Sequence, residues 1–83
     1  MRESVKWFAE KMEQKLQKHD KKKGPDGWLN EDISWLIDRL KEEVNELEEK
    51  IFDFDYSEKE TLKLINECAD VANFAMMIAD CVK

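Results

Sequence analysis

The chain has 83 residues and a mass of 9.9 kDa, with 20 acidic against 14 basic residues, a net charge of -6 and a pI near 4.8. So short a chain is one domain at most, residues 1–83, and buries only about 60 to 65% of the surface it exposes when unfolded, so help from a partner chain is expected. The acidic balance argues against nucleic-acid backbone binding, which needs a positive footprint, and no apolar run approaches the ~20 residues of a membrane span.

The opening "MRESVKWFAE" has no signal-peptide core, so a soluble cytoplasmic protein is expected. With 2 Gly and 1 Pro the composition favours helix over turn, and the expected fold class is all-α.

The first helix is predicted at about 4–22, with Val5, Phe8, Met12 and Leu16 at helical spacing. It runs into the basic stretch "KHDKKKGPDGW", where Gly24, Pro25 and Gly27 turn the chain before it re-enters structure near Trp28. His19, the sole histidine and without a cysteine beside it, reads as a solvated loop residue.

A second helix is predicted at about 30–54, with Asn30 as N-cap, Glu31 and Asp32 in the first turn, and an apolar stripe of Ile33, Leu36, Leu40, Val44, Leu47 and Ile51. The third is predicted at about 57–82. Ser57 followed three residues later by Glu60 is a capping-box pattern, and Leu62, Ile65, Ala69, Ala72, Met76 and Ala79 form the expected inward stripe. From Val71 to Val82 only Asn73 and Asp80 are polar, and a helix apolar on nearly every side must be covered on nearly every side. A helical hairpin with an N-terminal helix, assembling into four-helix bundles as a homo-dimer or homo-tetramer, is therefore expected. Trp7, Phe8, Trp35, Met76 and Met77 are assigned to helix packing or subunit contact. Cys68 and Cys81 lie too far apart along one helix, roughly 20 Å, to pair within it.

The acidic residues are not spread evenly. In "KEEVNELEEK", Glu43 sits at the edge of the apolar stripe and Glu46 on the neighbouring turn, whereas Glu42 and Glu49 point nearly opposite and read as solvated surface. Glu67 and Asp70 repeat the same i, i+3 spacing on a face continued by Phe74, Met77 and Cys81. Carboxylates on so apolar a strip cost several kcal/mol each to desolvate unless a cation shares the site. Oxygen-only ligands without His or Cys select a hard ion, Mg²⁺ with Mn²⁺ as substitute, and Mg²⁺ prefers to share its shell with phosphate oxygens.

"EEVNELEE" followed by "ECADVANF" resembles the E-x-x-E and E-x-x-D signature of the MazG-like all-α nucleoside triphosphate pyrophosphatases, the group that includes MazG and the all-α dUTPases. The resemblance runs from about Trp28 to Asp80. It implies Mg²⁺-dependent hydrolysis of an NTP or dNTP to the monophosphate and pyrophosphate, a house-cleaning activity on the nucleotide pool. It also implies that Glu43, Glu46, Glu67 and Asp70 are the catalytic metal ligands. By the same resemblance Trp28 stands near the position of an aromatic on the base, and Asn73 is a candidate for hydrogen bonding sugar or base. Relatives continue into a segment that engages the phosphates, whereas this sequence stops at Lys83. Lys18 and Lys22, with Lys11, Lys15 and Arg39, are the candidates for that role. Two other readings compete: a non-catalytic helical oligomerisation module whose acids are only a solubilising surface, and a nucleotide-binding regulatory module that yields no product.

Overall fold

The Ser57 side chain shows how directly local sequence sets local structure. Its Oγ accepts the Glu60 N–H at 3.2 Å, the Thr61 hydroxyl donates to its carbonyl at 2.8 Å, and Asp55 Oδ1 accepts its own N–H at 2.9 Å. These bonds satisfy the groups that a helix start leaves open. In the computed structural model, which describes residues 1–83 except the side chain of Lys23, they begin the longest of three helices: α1 (Glu3–Lys23), α2 (Ile33–Phe52) and α3 (Glu58–Val82). The chain is all-α, and no described helix is long and apolar enough to cross a membrane.

Between α1 and α2 the chain is tighter than its sequence suggests. Gly24 closes α1 at φ 78°, a backbone conformation that side chains with a Cβ disfavour, with its N–H on the Asp20 carbonyl at 2.8 Å. A 3₁₀ turn then spans Gly27–Asn30, closed by Leu29 N–H on Asp26 O and Glu31 N–H on Trp28 O. This turn takes up Asn30, so the expected N-cap moves to Asp32 and α2 begins at Ile33. At its other end α2 stops at Phe52 rather than residue 54.

Helix α3 is the centre of the fold, packing on α2 most extensively, then on α1 and the 3₁₀ turn. The core is small. Trp28, Leu36 and Met77 form its buried centre, Leu16, Phe74, Met76, Ile78 and Cys81 pack around them, and of the larger side chains only Leu36 is wholly enclosed.

The inward face of α3 differs from the predicted stripe. Glu67, Ala69, Asn73 and Met77 are its buried residues, whereas Leu62 is 56% exposed and Ala79 is open to solvent. Packing between α2 and α1 therefore turns the carboxylate-bearing face of α3 inward and leaves much of its aliphatic face outside. In α2 likewise Leu36 and Glu43 are buried, while Ile33 and Ile51, from the same predicted stripe, are exposed.

Loss of the Ser57 hydroxyl in Ser57→Ala should destabilise the fold by about 1 kcal/mol, read as a lower midpoint in chemical denaturation. An unchanged midpoint would mean that this helix start contributes nothing to the folded state.

Candidate functional site

Three of the four singled-out acids converge where α2 packs on α3. Carboxylate oxygens of Glu43, Glu46 and Glu67 lie within 4.8 Å of one another, a separation at which one cation can be shared. Glu43 and Glu67 are only 6% and 7% exposed, and each keeps a buried Oε2 with no hydrogen-bond partner. Glu46 is exposed and lies at the open side of the group. Helical periodicity accounts for this placement. Glu43 follows Leu36 by seven residues, two turns along the same face, so it enters the helix interface where a leucine would otherwise pack.

Asp70, the fourth acid, pairs with a cation of the chain itself. Lys15 Nζ reaches across from α1 to Asp70 Oδ2 at 3.4 Å. Arg39, on α2, donates from Nη2 to Glu43 Oε1 at 3.1 Å and from Nη1 to Glu42, while its guanidinium lies 5.1 Å from the centre of the Phe74 ring and its charge also acts on Asp70. Lys18 and Lys22 are exposed on α1. They continue at i+3 and i+7 the face on which Lys15 stands, with Lys11 one turn before it.

The acid group strains its own ionisation. Burial, then the proximity of Glu43, then the charges of Glu46 and Asp70 push the Glu67 carboxyl up to about 8. Burial raises Glu43 as well, opposed by its side-chain contact with Glu67 and reinforced by Glu46 and Asp70. Asp70 is also raised by burial, against the opposing pull of Lys15. A cation among these groups would reverse the shifts by stabilising the ionised forms.

Beside the acids lies a small aromatic cleft lined by His19, Gly27, Trp28, Glu31, Trp35, Phe74 and Met77. Its wall is fixed from the far end of α3: Trp28 Nε1 donates to Asp80 Oδ2 at 3.0 Å, Asp80 Oδ1 is bridged by Lys83 at 2.6 Å, and Cys81 Sγ donates to the Trp28 carbonyl at 3.7 Å. Phe74 joins cleft and acids, since it lines the one and carries the Arg39 guanidinium that bonds Glu43 of the other.

Of the residues singled out in sequence, Trp28 is in the cleft wall and 6% exposed. Asn73 is elsewhere. It is buried between helices, with Nδ2 donating to the Met12 carbonyl of α1 at 3.1 Å. His19 is not a loop residue but lies within α1, half-buried on the cleft, with its Nδ1 enclosed and without a partner. Trp35 and Phe74 complete the aromatic lining, a role for which neither stood out in the sequence. Trp35 lies one residue before buried Leu36 and shares the cleft lining with Trp28. Compared with family models, curated proteins and solved structures, the chain has no match.

The raised Glu67 carboxyl gives a signed expectation for stability. Its ordinary value is 4.5 and its folded value about 8, so the folded chain holds the extra proton in between. The stability from that proton is complete below this window and is lost as pH rises through it. Without divalent cations, the thermal midpoint should fall between about pH 5 and about pH 8, and Glu67→Gln should flatten the slope. Equal slopes in the two proteins would contradict this ionisation.

Proposed function

We propose that the chain is a Mg²⁺-dependent nucleoside triphosphate pyrophosphohydrolase, acting on an NTP or dNTP in nucleotide-pool house-cleaning, with copies of the chain pairing into a four-helix bundle. The observation that carries this reading is the pair of buried, partnerless Oε2 atoms of Glu43 and Glu67, which with Glu46 form an oxygen-only group beside an aromatic cleft. Acids placed only for solubility have no reason to be buried. An apolar pair of similar volume would pack at least as well.

The donor set fits a hard divalent ion, and no histidine or cysteine belongs to the group. Glu43, Glu46 and Glu67 would hold Mg²⁺, with Asp70 as fourth ligand on release from Lys15. When bound there, Mg²⁺ supplies the positive charge that reconciles a triphosphate with an acidic site and makes a nearby water easier to deprotonate.

The chain's own residues do the remaining work. Trp28, with Trp35 and Phe74, offers faces on which a base can stack, a contact tolerant of base identity. Lys15, once free of Asp70, and the exposed Lys18 and Lys22 beyond it give the phosphates a basic track along α1. Arg39, beside Glu43, is a second cation for the phosphate oxygens. Glu46, the solvent-reached acid, would take the proton of the attacking water. Water adds to the α-phosphorus, the bridging oxygen between the α- and β-phosphorus leaves with pyrophosphate, and the nucleoside monophosphate carries the new P–O bond.

Purified protein incubated with a panel of NTPs and dNTPs tests the proposal. Monophosphate and pyrophosphate should appear in equal amounts with Mg²⁺ and not with chelator, and Glu67→Gln should lower the rate by at least about a hundredfold. Substitution of Lys15 by Met should raise KM more than it lowers kcat if Lys15 binds phosphate. Nucleotide binding without product would overturn the catalytic reading in favour of a regulatory module. Absence of both binding and turnover would leave the oligomerisation module.

A further inference from the structure

The two cationic side chains that meet the acids are held in different ways. Arg39 stands on α2, bonded to Glu43 and Glu42 and lying over the Phe74 ring, so two carboxylates and an aromatic face fix it. Lys15 comes from α1, and Asp70 at 3.4 Å is its one ion-pair partner among the described residues. Both side chains of that pair remain 28% exposed. An ammonium on a flexible four-carbon stem changes partners readily, whereas a guanidinium held by two carboxylates and a ring does not.

Asp70 belongs electrically to the acid group although its own cation covers it. It follows Glu67 by three residues on α3, one turn along the same face. Its charge acts on Glu43 and Glu67, and that of Glu46 acts on it. The Oε2 atoms of Glu43 and Glu67, by contrast, are enclosed and face no donor. The chain thus supplies a positive charge to the acid at the edge of the group and none to the two open oxygens within it.

Helix α1 does not depend on the Lys15 pair for its place. Asn73 Nδ2 donates to the Met12 carbonyl at 3.1 Å, one turn before Lys15, and Leu16 packs on the buried core immediately after it. The lysine side chain is therefore free to swing from Asp70 while its helix stays docked.

We infer that Lys15 is a built-in competitor of the divalent cation: its ammonium holds Asp70 in the ion-free chain, weakens cation binding at Glu43, Glu46 and Glu67, and leaves Asp70 when the ion arrives. This rests on the cation reading of the acids and not on the nucleotide reaction. A divalent ion beside Asp70 repels the ammonium and takes over its carboxylate, so the two cations exclude each other. The exchange also sets an order of binding, since the Lys15 amine becomes available to an anion only after the cation is in place. For most residues beside a binding site, removal weakens binding. Here it strengthens it.

Mn²⁺ titrations of the native chain and three variants, without nucleotide and at one pH and salt concentration, test the inference. Lys15→Met keeps a helix-forming stem and removes the charge, and it should bind Mn²⁺ about tenfold more tightly than the native chain. Lys18→Met removes an equal charge one turn further along α1, from an exposed side chain, and should change the affinity by less than about twofold. Lys15→Arg restores the pair and should bind no more tightly than the native chain. A second readout needs no variant: acylation of the Lys15 amine, followed by mass spectrometry, should speed up at saturating Mg²⁺ while that of Lys22 stays constant. Affinity in Lys15→Met equal to that of the native chain, weaker than it, or matched by Lys18→Met would overturn the inference and leave the cation reading standing. So would Lys15 acylation indifferent to Mg²⁺ in a chain that binds the ion. Absence of Mn²⁺ uptake in both the native chain and Lys15→Met would overturn the inference and the cation reading together.

Discussion

Two glutamates stand where the packing of α2 on α3 calls for apolar side chains, and the surrounding structure is arranged about that fact. Glu43 and Glu67 are almost wholly enclosed, each with an oxygen that no group in the chain satisfies. A buried carboxylate without a partner is held either by a proton or by a cation. The chain brings two cations of its own to the flanks, Arg39 to Glu43 and Lys15 to Asp70, but neither reaches the open oxygens. Helix α1 is thus drawn into the site by an ion pair as well as by the packing of Leu16.

The rest of the fold positions this group rather than enclosing a large core. With Leu36 the one fully buried large side chain among the described residues, stability depends on helix ends, on the Asn73 bond to α1 and on the Trp28 anchor. The Trp28 contact links the 3₁₀ turn to the last turns of α3, and it sets the cleft wall at the same time. Fold and candidate site therefore share their side chains. A change at Asp80 would act on the cleft through Trp28.

Much of this was legible in the sequence, and the failures have physical causes. Three helices, the Ser57 start of α3 and the inward lean of Glu43 and Glu67 follow from local rules: a hydroxyl in front of a helix, and acids at i, i+3 beside apolar residues. The inward stripe of α3 was misread because periodicity marks which residues avoid water, not which neighbour covers them. On α3 the aliphatic face around Leu62 and Ala79 is open within one chain, and the face bearing Glu67 is closed by α2. The cleft was legible only at Trp28. Trp35, Phe74 and His19 stand on three different helices and meet only in the folded chain, beside the 3₁₀ turn that carries Trp28, so no local pattern joins them. The resemblance of "EEVNELEE" and "ECADVANF" to the all-α pyrophosphatases is what brings a nucleotide into the proposed function, whereas the geometry of the acids by itself points only to a shared cation.

Direct cation binding tests the account most closely. Mn²⁺ titrated into metal-free protein at about pH 8, where about half of the Glu67 carboxyl is ionised before any metal binds, can be followed by the electron paramagnetic resonance signal of the free ion. Saturable uptake by the native chain, lost in Glu67→Gln and in Glu43→Gln, is the predicted result. Free Mn²⁺ undiminished by the native protein, or uptake equal in the native protein and both variants, would contradict the claim that these carboxylates are placed for a cation.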